Sequence, residues 1–367
     1  MLCYITAIAE SVYYTEMMSD PLLIEKVVAR LHACVAEVPF CAIKDEMPDS
    51  NSSLARPDWI GRLRVGDKER LILIEAQTNG QPRRAREAAN AFLRWGSLYP
   101  NAVHVFAAPY VSPDAAEILG RENIGYVDLS GNCRLTFDRV YIRTEGRPNQ
   151  FTQRRDLRSL YSPKAERVLR ALLSEPRRGW KIKELAKAAS VSLGQASNVK
   201  RLLEDREWLK PGKDGFRLVQ PDRLLGEWSE NYNYRRNKST DYYSMDPVPQ
   251  IEAKLAAACD ELGCGYAIAG LSAAWRLAPY VRYQRAMAYV AGEANEVVER
   301  VGLKPVASGP NVTLLTPYDE GVFVGGQVVE GIRVTSPVQT YLDVRGFRGR
   351  GEEAAEAILR EVIKPTW

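Results

Sequence analysis

Apolar residues recur at helical spacing through the middle of the chain. Val168, Leu169, Leu172 and Leu173 fall on one face of a stretch that opens with Ser162, a suitable N-cap. Pro163 follows at the first helical position, where its missing N–H costs nothing. Ile182, Leu185, Ala186 and Ala189 make a second such face, which ends at Ala189-Ser190-Val191, where a buried valine fits a tight turn between helices. Ser192 with Gln195 three residues on is a capping-box pattern, and Ala196, Val199, Leu202 and Leu203 form the inward face of a third helix. Trp208-Leu209 and Phe216-Arg217-Leu218 then alternate as two strands around Pro211-Gly212-Lys213-Asp214-Gly215, with Asp-Gly at the turn.

Three helices followed by a hairpin predict a winged helix-turn-helix over residues 151–221. Ser192 caps the third helix, whose outward positions are Gln195, Ser197, Asn198, Lys200 and Arg201. A recognition helix turns such positions toward base edges and phosphates of the major groove. Lys210, Lys213 and Arg217 on the hairpin are placed to touch the DNA backbone. Charge points the same way. Residues 143–238 hold 23 Lys or Arg against 12 Asp or Glu, a net of +11, whereas the whole chain is only +4, which leaves −7 for the rest. A basic middle between acidic flanks suits a polyanion, here double-stranded DNA. The alternative is a protein-binding module whose arginines belong to a solvated linker.

On either side the pattern changes to strands alternating with helices, giving an α/β and α+β multidomain chain. Residues 1–150 read as an α/β domain, with a helix over 21–37, strands at 58–65 and 70–75, and a helix over 83–95. A strand at 102–107, a helix capped by Ser112-Pro113-Asp114, and strands at 125–129 and 133–137 complete it. Residues 222–367 open with a Tyr- and Arg-rich bridge. It is expected to be an ordered linker, or a segment lying along nucleic acid. A helix over 251–262 and a strand at 265–269 follow, then Gly270-Leu271-Ser272 opening another helix. Further strands are expected at 286–290, 312–315, 321–324 and 327–334, with closing helices after Ser336-Pro337 and after Gly349-Arg350-Gly351.

At 367 residues, 46% of them hydrophobic, the chain can fill two or three cores. No apolar run approaches the ~20 residues of a membrane helix, and the apolar start Met1 to Glu10 lacks a basic flank, so a cytoplasmic protein without a membrane partner is expected. Cys3, Cys34, Cys41, Cys133, Cys259 and Cys264 contain no C-x-x-C pair, which argues for reduced core residues over a zinc ribbon or disulfide framework. With His32 and His104 as the only histidines, a histidine-rich metal site or triad is hard to build.

Carboxylates offer more chemistry. Asp58 follows Pro57 at the start of one strand, and Glu75 with Gln77 ends the next, so two acids at adjacent strand ends could hold a hard divalent cation such as Mg²⁺ beside an attacking water. Otherwise they are two strand-end acids on a docking domain. Arg83, Arg84 and Arg86 either clamp a phosphate or start a solvated helix. The order Pro57-Asp58, Glu75-Ala76-Gln77, then helix, resembles the restriction-endonuclease-like nuclease fold, although Gln77 stands where that fold usually carries Lys. Through the resemblance Asp58, Glu75 and Gln77 become catalytic candidates, with Asp58 and Glu75 as metal ligands. The strand-Gly270-Leu271-Ser272-helix passage is similar to the opening of nucleotidyltransferase-like folds, yet Ala286 to Gly292 carries no aspartate to hold magnesium.

Taken in order, the segment Gly125 to Asn132 (GYVDLSGN), the three helices and hairpin, Gly265 to Ala274 (GYAIAGLSAA), Ser336 to Gln339 (SPVQ) and Gly349 to Ala354 (GRGEEA) resemble the AbiEi-like antitoxin regulators of type IV toxin-antitoxin systems. The likeness covers about residues 100–367. It implies an autorepressing DNA-binding antitoxin, encoded beside a nucleotidyltransferase-like toxin whose effect residues 222–367 would oppose. No cofactor is implied for that role. A Mg²⁺-dependent endonuclease targeted by the winged helix is the competing expectation, and a protein scaffold is a third.

Overall fold

The structure, a computed structural model, describes residues 20–45, 56–151, 160–347 and 349–367. The expected apolar N-terminus with Cys3, and Arg154 and Arg155 of the basic stretch, lie outside the described residues. Two compact units form. One holds the described residues up to Phe151 and the other those from Leu160 onward, apart from Asp205–Glu207, which group with the first.

The first unit is a seven-stranded mixed sheet whose strands lie side by side in chain order. Helix α1 (Asp20–Ala36) precedes the antiparallel meander β1 (Cys41–Asp45), β2 (Trp59–Val65) and β3 (Lys68–Ala76). Helices α2 (Pro82–Trp95) and α3 (Pro113–Arg121) then carry the chain to β4 (Val103–Ala108) and β5 (Gly125–Asp128), both parallel to β3. Strands β6 (Cys133–Phe137) and β7 (Val140–Thr144) close it antiparallel. The two-residue period of the strands decides which helix covers which face. Ile72, Ile74, Val105 and Ala107 pack with Leu23, Val27 and Leu31 of α1. The intervening Leu73, Phe106 and Ala108 pack with Ala85, Ala88 and Phe92 of α2 and Leu119 of α3.

The second unit begins with α4 (Pro163–Ser174), α5 (Ile182–Ala188) and α6 (Leu193–Asp205), followed by the hairpin β8 (Leu209–Gly212) and β9 (Gly215–Leu218). Trp180 adds a short third strand, exchanging N–H···O bonds of 2.7 and 3.0 Å with Phe216. Gly215, at φ +120°, sits where a Cβ would lie 2.1 Å from the Trp180 carbonyl oxygen, so only glycine lets the hairpin meet that strand. The turn is Lys213-Asp214, and Gly215 belongs to the strand rather than the loop. Ser162 occupies the N-cap of α4, but its side chain makes no cap bond there. Val191 is half-buried rather than buried, and Ser190 turns the chain with φ +51°.

Helix α7 (Pro221–Asn231) leads to a second seven-stranded sheet in the order β13-β10-β14-β12-β11-β16-β15. Its strands are β10 (Lys238–Tyr243), β11 (Tyr266–Ile268), β12 (Ala286–Val290), β13 (Lys304–Pro305), β14 (Val312–Thr316), β15 (Gln327–Val329) and β16 (Ile332–Val334). On one face α8 (Val248–Leu262) and α10 (Asn295–Val301) supply Ile251, Leu255, Val297 and Val301 to a core with Ile268, Ala288 and Leu314. The remaining helices, α9 (Gly270–Leu277), α11 (Pro337–Arg345) and α12 (Gly351–Ile358), share one core with α4, α5, α6 and α7. Leu169, Leu203, Trp228, Ala274, Tyr341 and Ile358 all belong to it.

Two strand expectations fail. Glu320–Phe323 is a 3₁₀ turn, because the Asp319 carboxylate accepts the Gly321 N–H at 2.8 Å and bends the backbone. The run 327–334 is a hairpin, because Glu330 and Gly331 both adopt positive φ. The Tyr- and Arg-rich bridge holds the end of α7 and strand β10.

Candidate functional site

Helix α6 is positioned from below by Ala196, Val199, Leu202 and Leu203, all buried. Ser192 Oγ accepts the Gln195 N–H at 3.2 Å, so the helix starts where the capping pattern places it. Ser197 and Arg201 are exposed, Gln195, Asn198 and Lys200 are half-buried, and Arg201 donates to Asn198 Oδ1 at 3.0 Å. Lys200 turns aside from the outward face, reaching Glu204 at 2.5 Å and lying 5.2 Å above the Phe216 ring. On the neighbouring elements Lys181, Lys183, Lys187, Lys210, Lys213 and Arg217 are exposed and make no ion pair among the described residues. Much of the remaining positive charge of the basic stretch is internally matched, as in Arg167–Asp319, Arg178–Glu175 and Arg236–Glu166. Leu193, exposed at 49%, stands at the first turn of α6 and falls outside the polar set that sequence patterning singles out.

In the first unit Asp58 and Glu75 come together because Trp59 pairs with Ile74, which sets the residue before β2 opposite the end of β3. The Asp58 carboxylate accepts the Ala76 N–H at 2.7 Å, and Gln77 Nε2 donates to Glu75 Oε1 at 3.0 Å. Burial, and then the adjacent Asp58 charge, push the Glu75 carboxyl up to about 7. Two acids and an amide thus share one edge of the sheet. Two carboxylates and an amide oxygen are hard oxygen donors of the kind a divalent cation takes. Among the described residues no group of three or more His, Cys, Asp or Glu could hold a metal ion, so any cation there would rest on two carboxylates and water. Arg83 and Arg84 are paired with Glu87 at 3.1 and 2.7 Å.

Other marked residues prove structural. Asp128, fully buried, accepts the N–H groups of Val111 and Asn132 and the Asn132 amide at 2.9 Å, which fixes the turn between β5 and β6. Beside it lies a cleft of about 420 Å³ lined by Tyr110, Tyr126, Asn132, Arg134, Glu145 and Arg147. Ser272 is buried, with its hydroxyl donating to the Arg285 carbonyl at 3.2 Å, so it presents nothing to a phosphate. His104 stacks on Phe92 with its Nε2 buried, and burial lowers its pKa. His32 meets Asp45 at 3.2 Å. Cys34, Cys41, Cys133 and Cys259 are buried free thiols, and Cys264 is a half-buried one.

A buried polar network, which the sequence reading missed, joins α4 to the sheet. Glu166 takes Arg236 at 3.2 Å and the Tyr318 hydroxyl, while Arg170 donates to Gln339 Oε1 at 3.1 and 2.5 Å. Gln339 Nε2 passes on to Tyr232 and Asp343, and Tyr232 and Tyr289 donate to Asp343 Oδ1 at 2.8 and 2.9 Å. Burial pushes Asp343 up to about 6 despite these donors. The available signal was charge inside helices that otherwise read as apolar: Glu166 with Arg170, and Gln339 with Asp343, each four residues apart.

No helix among the described residues is long and apolar enough to cross a membrane. No curated protein and no solved structure matches the chain. Residues 217–364, from β9 to near the C-terminal end, match the family model described as transcriptional regulator, AbiEi antitoxin, type IV toxin-antitoxin system.

Proposed function

We propose that the chain is a sequence-specific DNA-binding regulator that acts as the antitoxin of a type IV toxin-antitoxin pair and represses its own operon. Helices α4 to α6 with the hairpin serve as a winged helix-turn-helix, with α6 in the major groove and the hairpin along the backbone. The observation that carries the reading is the outward side of α6, with Ser197, Asn198 and Arg201, flanked by six exposed cations on α5, the segment before it and the hairpin. The match of residues 217–364 supports the antitoxin role, and the partner toxin would be nucleotidyltransferase-like. An electrophoretic shift on the DNA upstream of its own gene tests it. Asn198→Ala should weaken the shifted band by about tenfold, the size of one lost base contact. Equal binding by the variant removes α6 from the interface.

A second reading has its own observation, the convergence of Asp58, Glu75 and Gln77. The first unit is then a restriction-endonuclease-like domain, supported by its helix, three-stranded meander, helix and parallel strand order. Asp58 and Glu75 would hold Mg²⁺, which supplies a nucleophilic water and charge for the departing oxygen. Gln77 would orient that water. DNA cleavage that needs Mg²⁺ and disappears in Asp58→Ala tests it; DNA left intact after long incubation with Mg²⁺ or Mn²⁺ rejects it.

A further inference from the structure

Two residues at the start of α6 take no part in the core that holds the helix among the described residues. Leu193, the first residue of the helix, exposes 49% of its surface although α6 has a complete apolar face of its own. A single exposed leucine is ordinary on a protein surface. Its neighbour is less ordinary. Gly194 lies in the first helical turn, where glycine weakens a helix relative to alanine, yet a Cβ built there meets nothing within 4 Å. Neither its φ nor internal packing calls for glycine at this position. What glycine supplies without a packing role is closeness of the backbone to something outside. Three positions on, at the same side of the helix, Ser197 is also small and exposed. The N-terminal half of α6 is therefore a narrow ridge, low at Gly194 and Ser197, with an apolar side chain standing at its edge.

We propose that Leu193 packs on the C5 methyl group of a thymine in the major groove, and that Gly194 and Ser197 let α6 sit close enough to the base edges for that contact. The inference rests on the DNA-binding reading above and gives it a base preference. DNA is the occupant because of the cations on the elements around α6, which suit a polyanion and not an apolar protein groove. In the major groove the thymine methyl is the apolar group that a leucine can find.

Double-stranded DNA selected from a random-sequence pool by the full chain gives the probe, and each thymine of the selected site is then replaced by deoxyuridine, which removes only the methyl. At one thymine the parent should lose about fourfold in affinity, the effect of one buried methyl. Leu193→Ala should lose a similar factor on the unmodified site and be indifferent to deoxyuridine at that position. Gly194→Ala should melt no lower than the parent yet bind at least tenfold more weakly. A site that tolerates every deoxyuridine, a Leu193→Ala protein that still senses the same methyl, or a Gly194→Ala protein that binds like the parent each overturns the inference while leaving DNA binding in place. Failure of the pool to yield any preferred sequence overturns the regulator reading and this one together.

Discussion

Glu75 should make the first unit less stable as the pH rises, and Glu75→Gln should remove that effect. In the unfolded chain the carboxyl ionises near its ordinary value of 4.5, whereas burial and the Asp58 charge hold it near 7 in the folded protein. Between those values the folded state binds more protons than the unfolded state. Stability therefore falls as pH climbs through that window and is level above about 7. The full difference corresponds to about 3.4 kcal/mol, and since Glu75 is only part-buried, solvent screening leaves roughly half of it. The substituted amide does not titrate in either state, keeps an oxygen for the Gln77 amide, and can donate to Asp58. Above pH 7 the variant should melt about 5 °C higher than the parent, with no slope across the window. Thermal unfolding of the full chain at a series of pH values reads this directly. Mg²⁺ should raise the melting temperature of the parent above pH 7 and leave Glu75→Gln unmoved. A parent whose stability is level through the window, together with a variant that melts lower at alkaline pH, would falsify the strained-carboxylate account. Indifference of both proteins to Mg²⁺ would take away the cation.

Other outcomes follow from single contacts. Lys213→Ala and Arg217→Ala should each flatten the plot of log affinity against log salt by about 0.9 without altering sequence preference; unchanged slopes would take the hairpin off the DNA backbone. Gly215→Ala should cost the second unit about 2–3 kcal/mol, because its Cβ collides with the Trp180 carbonyl at a backbone angle alanine resists; denaturant unfolding with an unshifted midpoint would contradict the close approach. Tyr232→Phe takes a donor from Asp343 and an acceptor from Gln339, a loss of about 1–3 kcal/mol by the same assay, and a neutral result would mean that water replaces the hydroxyl.

How much was legible in the sequence depended on how local the cause was. Helices α4, α5 and α6 carry their own apolar face, so α4 and α6 start directly after Ser162 and Ser192 and α5 ends before Ala189, as the local signals place them. Strand β1 was missed because Cys41-Ala-Ile-Lys-Asp45 is a short edge strand with a single alternation, held by pairing with β2. Strand β10, Lys238–Tyr243, has no aliphatic residue at all and exists because β14 and β13 flank it. Gly321 to Val324 misled in the opposite sense: an apolar run that a side chain 2 residues upstream bends into a turn. The sequence placed Asp58 and Glu75 at adjacent strand ends, but the register that sets them opposite each other, fixed by a tight turn at Gly66, and the approach of Gln77 to Glu75 were legible only in the structure. The buried network was not legible either, since Arg170 and Gln339 are 169 residues apart and nothing local in either helix announces the other.

That network bears on where the parts of the chain divide. The family match begins at residue 217 and omits α4, α5 and α6. Physically no such boundary exists, because Trp228, Tyr341 and Ile358 of the matched segment lie in the same core as Leu169 and Leu203. Apolar packing alone would tolerate small slides of one helix on another. Directional bonds do not, and α4 has three sets of them: Glu166 to Arg236 and Tyr318, Arg167 to Asp319 at 2.8 and 3.0 Å, and Arg170 to Gln339. Glu166 and Arg170 are both buried, so displacement of α4 that broke one partner while keeping them dry would leave a charge unmatched, a change of several kcal/mol. Helix α4 in turn underlies α6 through the shared core. Under the proposed function, a toxin or other ligand that moved Tyr232, Gln339 or Asp343 would act on the bonds that hold α4, so repression and antitoxin activity would be carried by one cooperative body and not by two tethered modules.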